Sequence, residues 1–511
     1  MSRASFFSSS SSRLLALLLV FGLAFAIRMY DLTDLPLDFH PTRQLLSAHK
    51  ARGLYYQTQP DGISTQQLET GIRQAQLKAD VEPVVFEQLV AFTYRFTGEH
   101  VWIARIYASL FWLLGGGFLF LILRELISFD GAIVSTAYYL FYPYAVIASR
   151  SFQPDPLMVM LTIGFWWSFE RWLTQTSSTA WRWATLAGIL GGLAIFIKFS
   201  AAFFVIGGAL GLALSQIKLR DLLQNRQIWL MAFLGVLPAT LYLLYGIFVR
   251  GDLASQFSGR FIPSLLFSPI NYLQWLTKVD LAVGGIFLTL GLLGYFLVTS
   301  ARLRGLLLGL GIAYLVYGLF FDYHVATHDY YHLPLIPIVA VSLSPLADRL
   351  LTALANASPQ TWARRFISLI LLFGLFTWMW EARNQLKSVD YRPEAVMWAE
   401  VSQQLGDARV IGLTQDYGSR LEYWGLKTVA TWPYAGDIDY RSLRGSDFSF
   451  ANYFEKNTAK RDVFLVTDME ELDRQPLLKA KLFDHYLLKT QGDGYLIFDL
   501  RSPTSRVSGG S

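Results

Sequence analysis

Three short segments concentrate the groups that could do chemistry. The first runs Asp31-Leu-Thr-Asp34-Leu-Pro-Leu-Asp38-Phe-His40-Pro-Thr-Arg43-Gln44, continues through His49, Lys50 and Arg52, and closes at Glu82-Pro83. The second is Ser149-Arg150-Ser-Phe-Gln-Pro154-Asp155-Pro156, and the third is Asp322-Tyr323-His324-Val-Ala-Thr-His328-Asp329-Tyr330-Tyr331-His332. A carboxylate can take the proton of an attacking hydroxyl, and cations beside it can steady a departing phosphate. Each segment also has a plainer reading. Mixed acids and bases suit a solvated loop. Asp155 before Pro156 suits a helix start, with the carboxylate at the N-cap and proline at the first helical position. His324, His328 and His332 recur at i, i+4 and i+8, which on a continuous helix shares one face and permits a divalent metal. Pro334 and the neighbouring aromatics argue instead for an irregular belt offering donors to a phosphate.

The elements that must position these segments belong to a membrane. Only 16% of the 511 residues are charged and 53% are hydrophobic, against about 25% charged in a water-soluble domain. Apolar runs long enough to cross about 30 Å of hydrocarbon lie near 14–30, 101–123, 131–148, 157–173, 183–197, 200–216, 227–248, 281–299, 305–321, 333–347 and 366–382. Lys198 and Ser200 split the run from Trp183 to Leu214 into a tight hairpin. The first run follows Arg3 and Arg13 and resembles a secretion signal, but the many spans behind it argue for a retained helix.

Placing the N-terminus inside collects Arg124, Arg171, Arg182, Lys218, Arg220, Arg226, Arg302, Arg304, Arg349, Arg364 and Arg365 in inner loops. Outer loops keep only Arg150, Lys198, Arg250, Arg260 and Lys278. This is the positive-inside pattern. It explains the net charge of +5 without nucleic acid, and it puts the 31–100 loop, the 249–280 loop and the C-terminal tail on the outer face.

Gly115-Gly116-Gly117, Gly188 with Gly192, and Gly305 with Gly309 sit inside apolar runs, where small residues predict close helix packing. None precedes the Lys-Ser/Thr of a phosphate cradle. With no cysteine, disulfides, thiolate metal sites and a cysteine nucleophile are excluded. The tail has a polar helix at Pro393–Leu405, strand-like runs at Val410–Thr414 and Val463–Thr467, and a hairpin of His485–Thr490 with Tyr495–Asp499. Its Asp437-Ile438-Asp439 follows Gly436 and reads as a solvated turn rather than a metal-binding pair.

All three polar segments fall on the outer face. Carboxylates and cations gathered at a membrane surface suit transfer of a sugar held on a lipid phosphate, a donor already activated without ATP. At these residues the chain resembles the polyprenol-phosphate-sugar-dependent glycosyltransferases of the C type. The relatives are those of family 39, the protein O-mannosyltransferases and lipid A aminoarabinose transferases. The resemblance covers about residues 10–380. It rests on Asp38 with Arg43-Gln44, Glu82-Pro83, Gly98 with Ala104-Arg105, Ser149-Arg150 with Pro154-Asp155, Gly192-Leu-Ala with Lys198-Phe199, and Tyr330-Tyr331-His332-Leu-Pro-Leu-Ile-Pro337.

It implies Asp38 as the acceptor-activating carboxylate, Asp155 as a second acid and Glu82 as a lining residue. Arg43, Lys198, His328 and Tyr331 would hold the donor phosphate. Many relatives carry Asp-Glu in the first loop. Here Phe39 follows Asp38, which leaves Asp31 and Asp34 as rival acids.

The expected fold is a polytopic α-helical membrane protein of about 11 spans. Residues 1–383 form the transmembrane domain with its large 31–100 loop, and 384–511 form a small α/β domain outside. The expected location is the plasma (inner) membrane. The expected partners are the polyprenyl-phosphate-sugar donor, membrane lipids, and a lipid, glycan or protein acceptor. The sequence identifies no cofactor and leaves a divalent metal open. A lipid-linked sugar flippase and a non-catalytic scaffold are the competing classes; a flippase predicts internal repeats and charges in mid-membrane, which the sequence lacks.

Overall fold

The computed structural model describes residues 5–80, 82–175, 178–251, 253, 261–357, 360–445 and 447–503; Arg260 lies outside them. Each of the eleven apolar runs falls on helix. Among the described residues, seven helices are long and apolar enough to cross a membrane: Ser10–Arg28, Trp102–Leu126, Ser178–Ile197, Arg226–Arg250, Ala301–Phe320, Leu335–Ala357 and Trp362–Leu386. An eighth crossing arises if Pro269–Val283 and Gly285–Phe296, bent by 86° at Gly284, form one span. The remaining apolar helices are Phe129–Phe141 with Pro143–Ala148, Asp155–Leu173 and the shorter Ala201–Leu214. Proline breaks the first of these at Tyr142-Pro143, as its missing N–H requires.

The chain divides into two compact units, and the division differs from a cut at residue 383. One unit holds Met1–Thr33, Asp80–Phe86 and Val101–Val389; the other holds Asp34–Ala79, Glu87–His100 and Asp390–Ser511. Most of the first loop therefore groups with the tail.

In the helical unit, glycines set the closest approaches. A Cβ on Gly309 would meet the Gly207 carbonyl oxygen at 2.1 Å, and one on Gly211 would meet that of Gly305 at 2.2 Å. A Cβ on Gly192 would come within 2.2 Å of the Leu234 oxygen. Leu14, Phe233, Phe248, Leu369 and Phe373 remain exposed on this unit, apolar surface that only lipid would cover.

In the second unit, β1 (Val410–Leu413), β2 (Val429–Thr431), β3 (Val463–Val466), β4 (Tyr486–Gly492) and β5 (Tyr495–Pro503) form one sheet in the order β2-β1-β3-β5-β4. β2, β1 and β3 are parallel, and β5 runs antiparallel to both β3 and β4. Ile411, Leu413, Phe464, Val466 and Phe498 pack on Trp432 and Phe454 on one face. Val410, Val463, Leu465 and Ile497 pack on Trp398, Val401 and Leu421 on the other. Burial on both faces is why β1 and β3 read as unbroken apolar runs. Asp437-Ile438-Asp439 lies in the helix Ala435–Leu443, not in a turn, and Asp437 accepts from the Tyr434 N–H at its start.

First-loop residues form the helices Pro41–Tyr56, Thr65–Leu77 and Val85–Thr97. The first is docked on the helix Ser419–Gly425. Arg52 pairs with Glu99 at 2.8 Å, donates to the Tyr423 carbonyl at 2.6 Å and lies 3.4 Å over the Tyr423 ring.

Candidate active site

In the helical unit, Asp155 and Lys198 come together. The helix Asp155–Leu173 is capped by Pro154, and no side chain caps it; Asp155 is not the cap that Asp-Pro suggests. Its Oδ1 instead accepts from Lys198 Nζ at 2.7 Å. Asp155 is 1% exposed, and its Oδ2 is buried with no partner among the described residues. Lys198 occupies the break between the helices Ser178–Ile197 and Ala201–Leu214, which frees its side chain from either helical face. Its ammonium lies 5.1 Å from the Tyr330 ring centre and 5.3 Å from that of Tyr331, within cation–π range. The Tyr317 hydroxyl holds this tyrosine pair by donating to the Tyr331 carbonyl at 3.1 Å.

The three histidines do not share a helix face. Asp322–Thr327 is helical, His328 is extended (φ −122°, ψ 111°), and Asp329–His332 is a separate 3₁₀ turn. Both ring nitrogens of His332 are engaged: Nδ1 pairs with the Tyr314 hydroxyl at 2.8 Å, and Nε2 with the Val325 carbonyl at 2.9 Å. Its burial at 0% exposure pushes its pKa down to about 4, so it is neutral at physiological pH. His324 and His328 are half-buried with rings 5.3 Å and 6.1 Å from Tyr331. Among the described residues no group of three His, Cys, Asp or Glu is placed to hold a metal ion. Glu82 is half-buried in Asp80–Phe86, which belongs to this unit.

Three buried arginines organise the start of the loop. Arg28, fully buried, donates to Ser149 Oγ and to the carbonyls of Ala24 and Leu140, each at 2.9 Å. Arg105 donates to the Leu32 carbonyl at 3.1 Å, and Arg150 to that of Asp31 at 3.1 Å. Asp31 itself adopts a left-handed φ of 48°. Arg28 was not singled out in the sequence, because it falls near the end of the first apolar run, as the last residue of the helix Ser10–Arg28.

In the second unit, the loop acids separate by role. Asp34, 3% exposed, accepts from its own neighbour Leu35 N at 2.8 Å and from Tyr391 N at 3.0 Å, so its carboxylate ties the loop to the tail. Asp38 is half-buried, and its Oδ1 accepts from Gln44 Nε2 at 3.2 Å. Arg43 is half-buried on the first turn of the same helix. Glu87, which the sequence did not single out, accepts from Ser47 Oγ at 2.6 Å.

Comparison with known proteins bears on this arrangement. Residues 81–245 match the family described as dolichyl-phosphate-mannose-protein mannosyltransferase. No curated protein matches the chain by sequence. Among solved structures, the chain is similar to ArnT from Cupriavidus metallidurans bound to undecaprenyl phosphate. The TM-score is 0.61 at 14% identity, over 99% of this chain and 100% of that one. It is also similar to the oligosaccharyltransferase AglB from Archaeoglobus fulgidus in complex with an inhibitory peptide and a dolichol-phosphate, with a TM-score of 0.53 at 13% identity over 96% and 74% of the two chains. The chain thus shares its fold with ArnT and AglB.

Proposed function

We propose that the protein is an integral membrane glycosyltransferase. It moves a sugar from a polyprenyl-phosphate donor to a lipid, glycan or protein acceptor at the outer face of the plasma (inner) membrane. The observation that carries this reading is the buried Lys198–Asp155 pair beneath Tyr330 and Tyr331. An ammonium has three N–H donors, and Asp155 takes one, so Lys198 can still bind phosphate oxygens. In the same unit, an apolar groove of about 800 Å³ runs between the helices Ala201–Leu214 and Ala301–Phe320, lined by Ile206, Leu210, Leu308, Ile312 and Val316. Its shape and chemistry suit a prenyl chain. ArnT and AglB, whose structures hold polyprenyl phosphates, lend support from the same fold.

In this reading the acceptor oxygen attacks the anomeric carbon while Asp38 takes the hydroxyl proton. The bond from that carbon to the phosphate oxygen breaks, and its electron pair leaves with the polyprenyl phosphate. In the helical unit, Lys198, His328 and Tyr331 offset the growing negative charge, with Asp155 holding Lys198 in place. By the same resemblance Glu82 would line the donor site.

The test uses the purified full chain with radiolabelled undecaprenyl-phosphate hexoses and pentoses and a panel of lipid, glycan and peptide acceptors. Release of undecaprenyl phosphate is expected with one donor. Asp38→Asn is expected to slow it about 10²–10⁴-fold, the usual worth of a general base. Donors left intact with every acceptor would count against the reading.

A further inference from the structure

The carboxylate of Asp38 is tied to the tail by two sets of hydrogen bonds, joined through the backbone of the first turn of the helix Pro41–Tyr56. Glu394, on the helix Arg392–Leu405, accepts from Arg420 NH1 at 2.7 Å. Arg420 Nε donates to Asp416 Oδ2 at 2.6 Å, and Thr42 Oγ1 donates to the other oxygen, Asp416 Oδ1, at 2.9 Å. Thr42 sits in the first turn of Pro41–Tyr56. Two residues on, in the same turn, Gln44 Nε2 donates to the Phe39 carbonyl at 2.7 Å and to Asp38 Oδ1 at 3.2 Å. Every member lies in the same compact unit.

The backbone at both ends of the Thr42–Asp416 contact is in an unfavourable region. His40, before Pro41, has φ 46°, and Asp416 and Tyr417 have φ 50° and 55°, followed by Gly418 at 80°. Non-glycine residues persist there only where surrounding contacts over-determine them. The turn at the end of β1 accepts this strain and presents Asp416 between a loop threonine and a tail arginine. Two further contacts align the same helices: His49 Nε2 lies 3.3 Å from the Ser419 carbonyl, and Arg52 reaches the Tyr423 carbonyl.

We infer that Asp416 and Arg420 are positioning residues for the loop acid: the tail sets the first turn of Pro41–Tyr56, and through Gln44 it sets the Asp38 carboxylate. This rests on the reading of Asp38 as the acceptor-activating base. A tail that folds as part of the site differs from a module appended to it.

The experiment compares hydrogen exchange and donor turnover in the full chain for wild type, Thr42→Val, Thr42→Ser and Asp416→Asn. Thr42→Val keeps the side-chain shape and removes the donor. It is expected to raise exchange of the 38–45 amides about tenfold while β1 and β3 stay protected, and to lower kcat about tenfold with KM for the donor unchanged. Thr42→Ser is expected to restore both, and Asp416→Asn to combine with Thr42→Val without a further loss. Unchanged exchange in Thr42→Val overturns the inference. So does raised exchange with unaltered kcat, if Asp38→Asn abolishes turnover. If wild type turns over no donor, the functional reading fails, and the exchange comparison alone still upholds or overturns the anchoring of residues 38–45 by Asp416.

Discussion

A lysine and an aspartate buried together depend on one another for charge balance. Lys198 and Asp155 have side chains 9% and 1% exposed, so neither has water to fall back on. Removing one partner leaves an uncompensated charge, a loss of about 3–5 kcal/mol, whereas replacing both with neutral groups relieves most of it. Lys198→Met is therefore expected to lower the thermal unfolding midpoint of the detergent-solubilised chain clearly. Adding Asp155→Asn should recover most of that loss, while donor turnover stays absent in both. Midpoints that fall additively in the double variant would show the two groups to be uncoupled. Both residues stood out in the sequence, but their pairing did not, because they lie 43 positions apart. Asp155 followed by Pro156 carries the signature of a helix cap, and that local signal competes with a tertiary partner that only folding supplies. Asp38 was the favoured loop acid with Asp31 and Asp34 as rivals, and what the sequence could not show is their partners: Asp34 is held by backbone N–H groups, while Asp38 is met by a neutral amide.

At the scale of elements, the helix Pro41–Tyr56 carries a histidine whose titration should be visible. His49 is fully buried against Tyr423, and its Nδ1 has no partner among the described residues. Burial first, then the nearby charges of Lys78 and Arg52, hold its pKa well below the usual 6.5. As pH falls through 6.5, the unfolded chain gains a proton that the folded one refuses, so stability falls. Between pH 7.5 and 5.5 this loss should approach about 1 kcal/mol, and His49→Gln should remove that part of the pH dependence of the unfolding midpoint. The glycine pairs make a second prediction. Gly309→Val places atoms where the Gly207 carbonyl already lies, so the helices Ala201–Leu214 and Ala301–Phe320 must separate. A lowered midpoint is expected, with Gly311→Val, which meets open space, as the silent control. Gly305 and Gly309 announced such packing by their spacing; the partners Gly207 and Gly211 did not stand out, because a pairing between helices is not written in either one. Elements were legible where they were long and apolar. β2 has three residues, too few to show a period, and spacing alone left the histidine triplet open between a helix face and an irregular belt, because it does not reveal the extended backbone at His328.

For the whole molecule, the membrane crossing count carries the strongest constraint. Residues 34–79 and 390–511 belong to one compact unit, so they must lie on the same side of the membrane, and an even number of crossings must separate them. Between those stretches lie six of the seven long spans, the broken helix Phe129–Phe141 with Pro143–Ala148, Asp155–Leu173, Ala201–Leu214 and the pair bent by 86° at Gly284. Parity holds if all of these cross. It fails if the bent pair alone turns back, which would also strand Arg302 and Arg304 on the outer side against the positive-inside rule. The chain has no cysteine, so each introduced thiol reports alone. In intact cells a membrane-impermeant maleimide is expected to label Asp61→Cys and Ser442→Cys at once, and to label Gln224→Cys and Asn356→Cys only after permeabilisation. Gln224 and Asn356 flank the bent pair together with three spans, so they share a side only if the pair crosses. Labelling of Asn356→Cys from outside, with Gln224→Cys still protected, would make the pair a re-entrant loop and would require another break in the helical unit to restore parity.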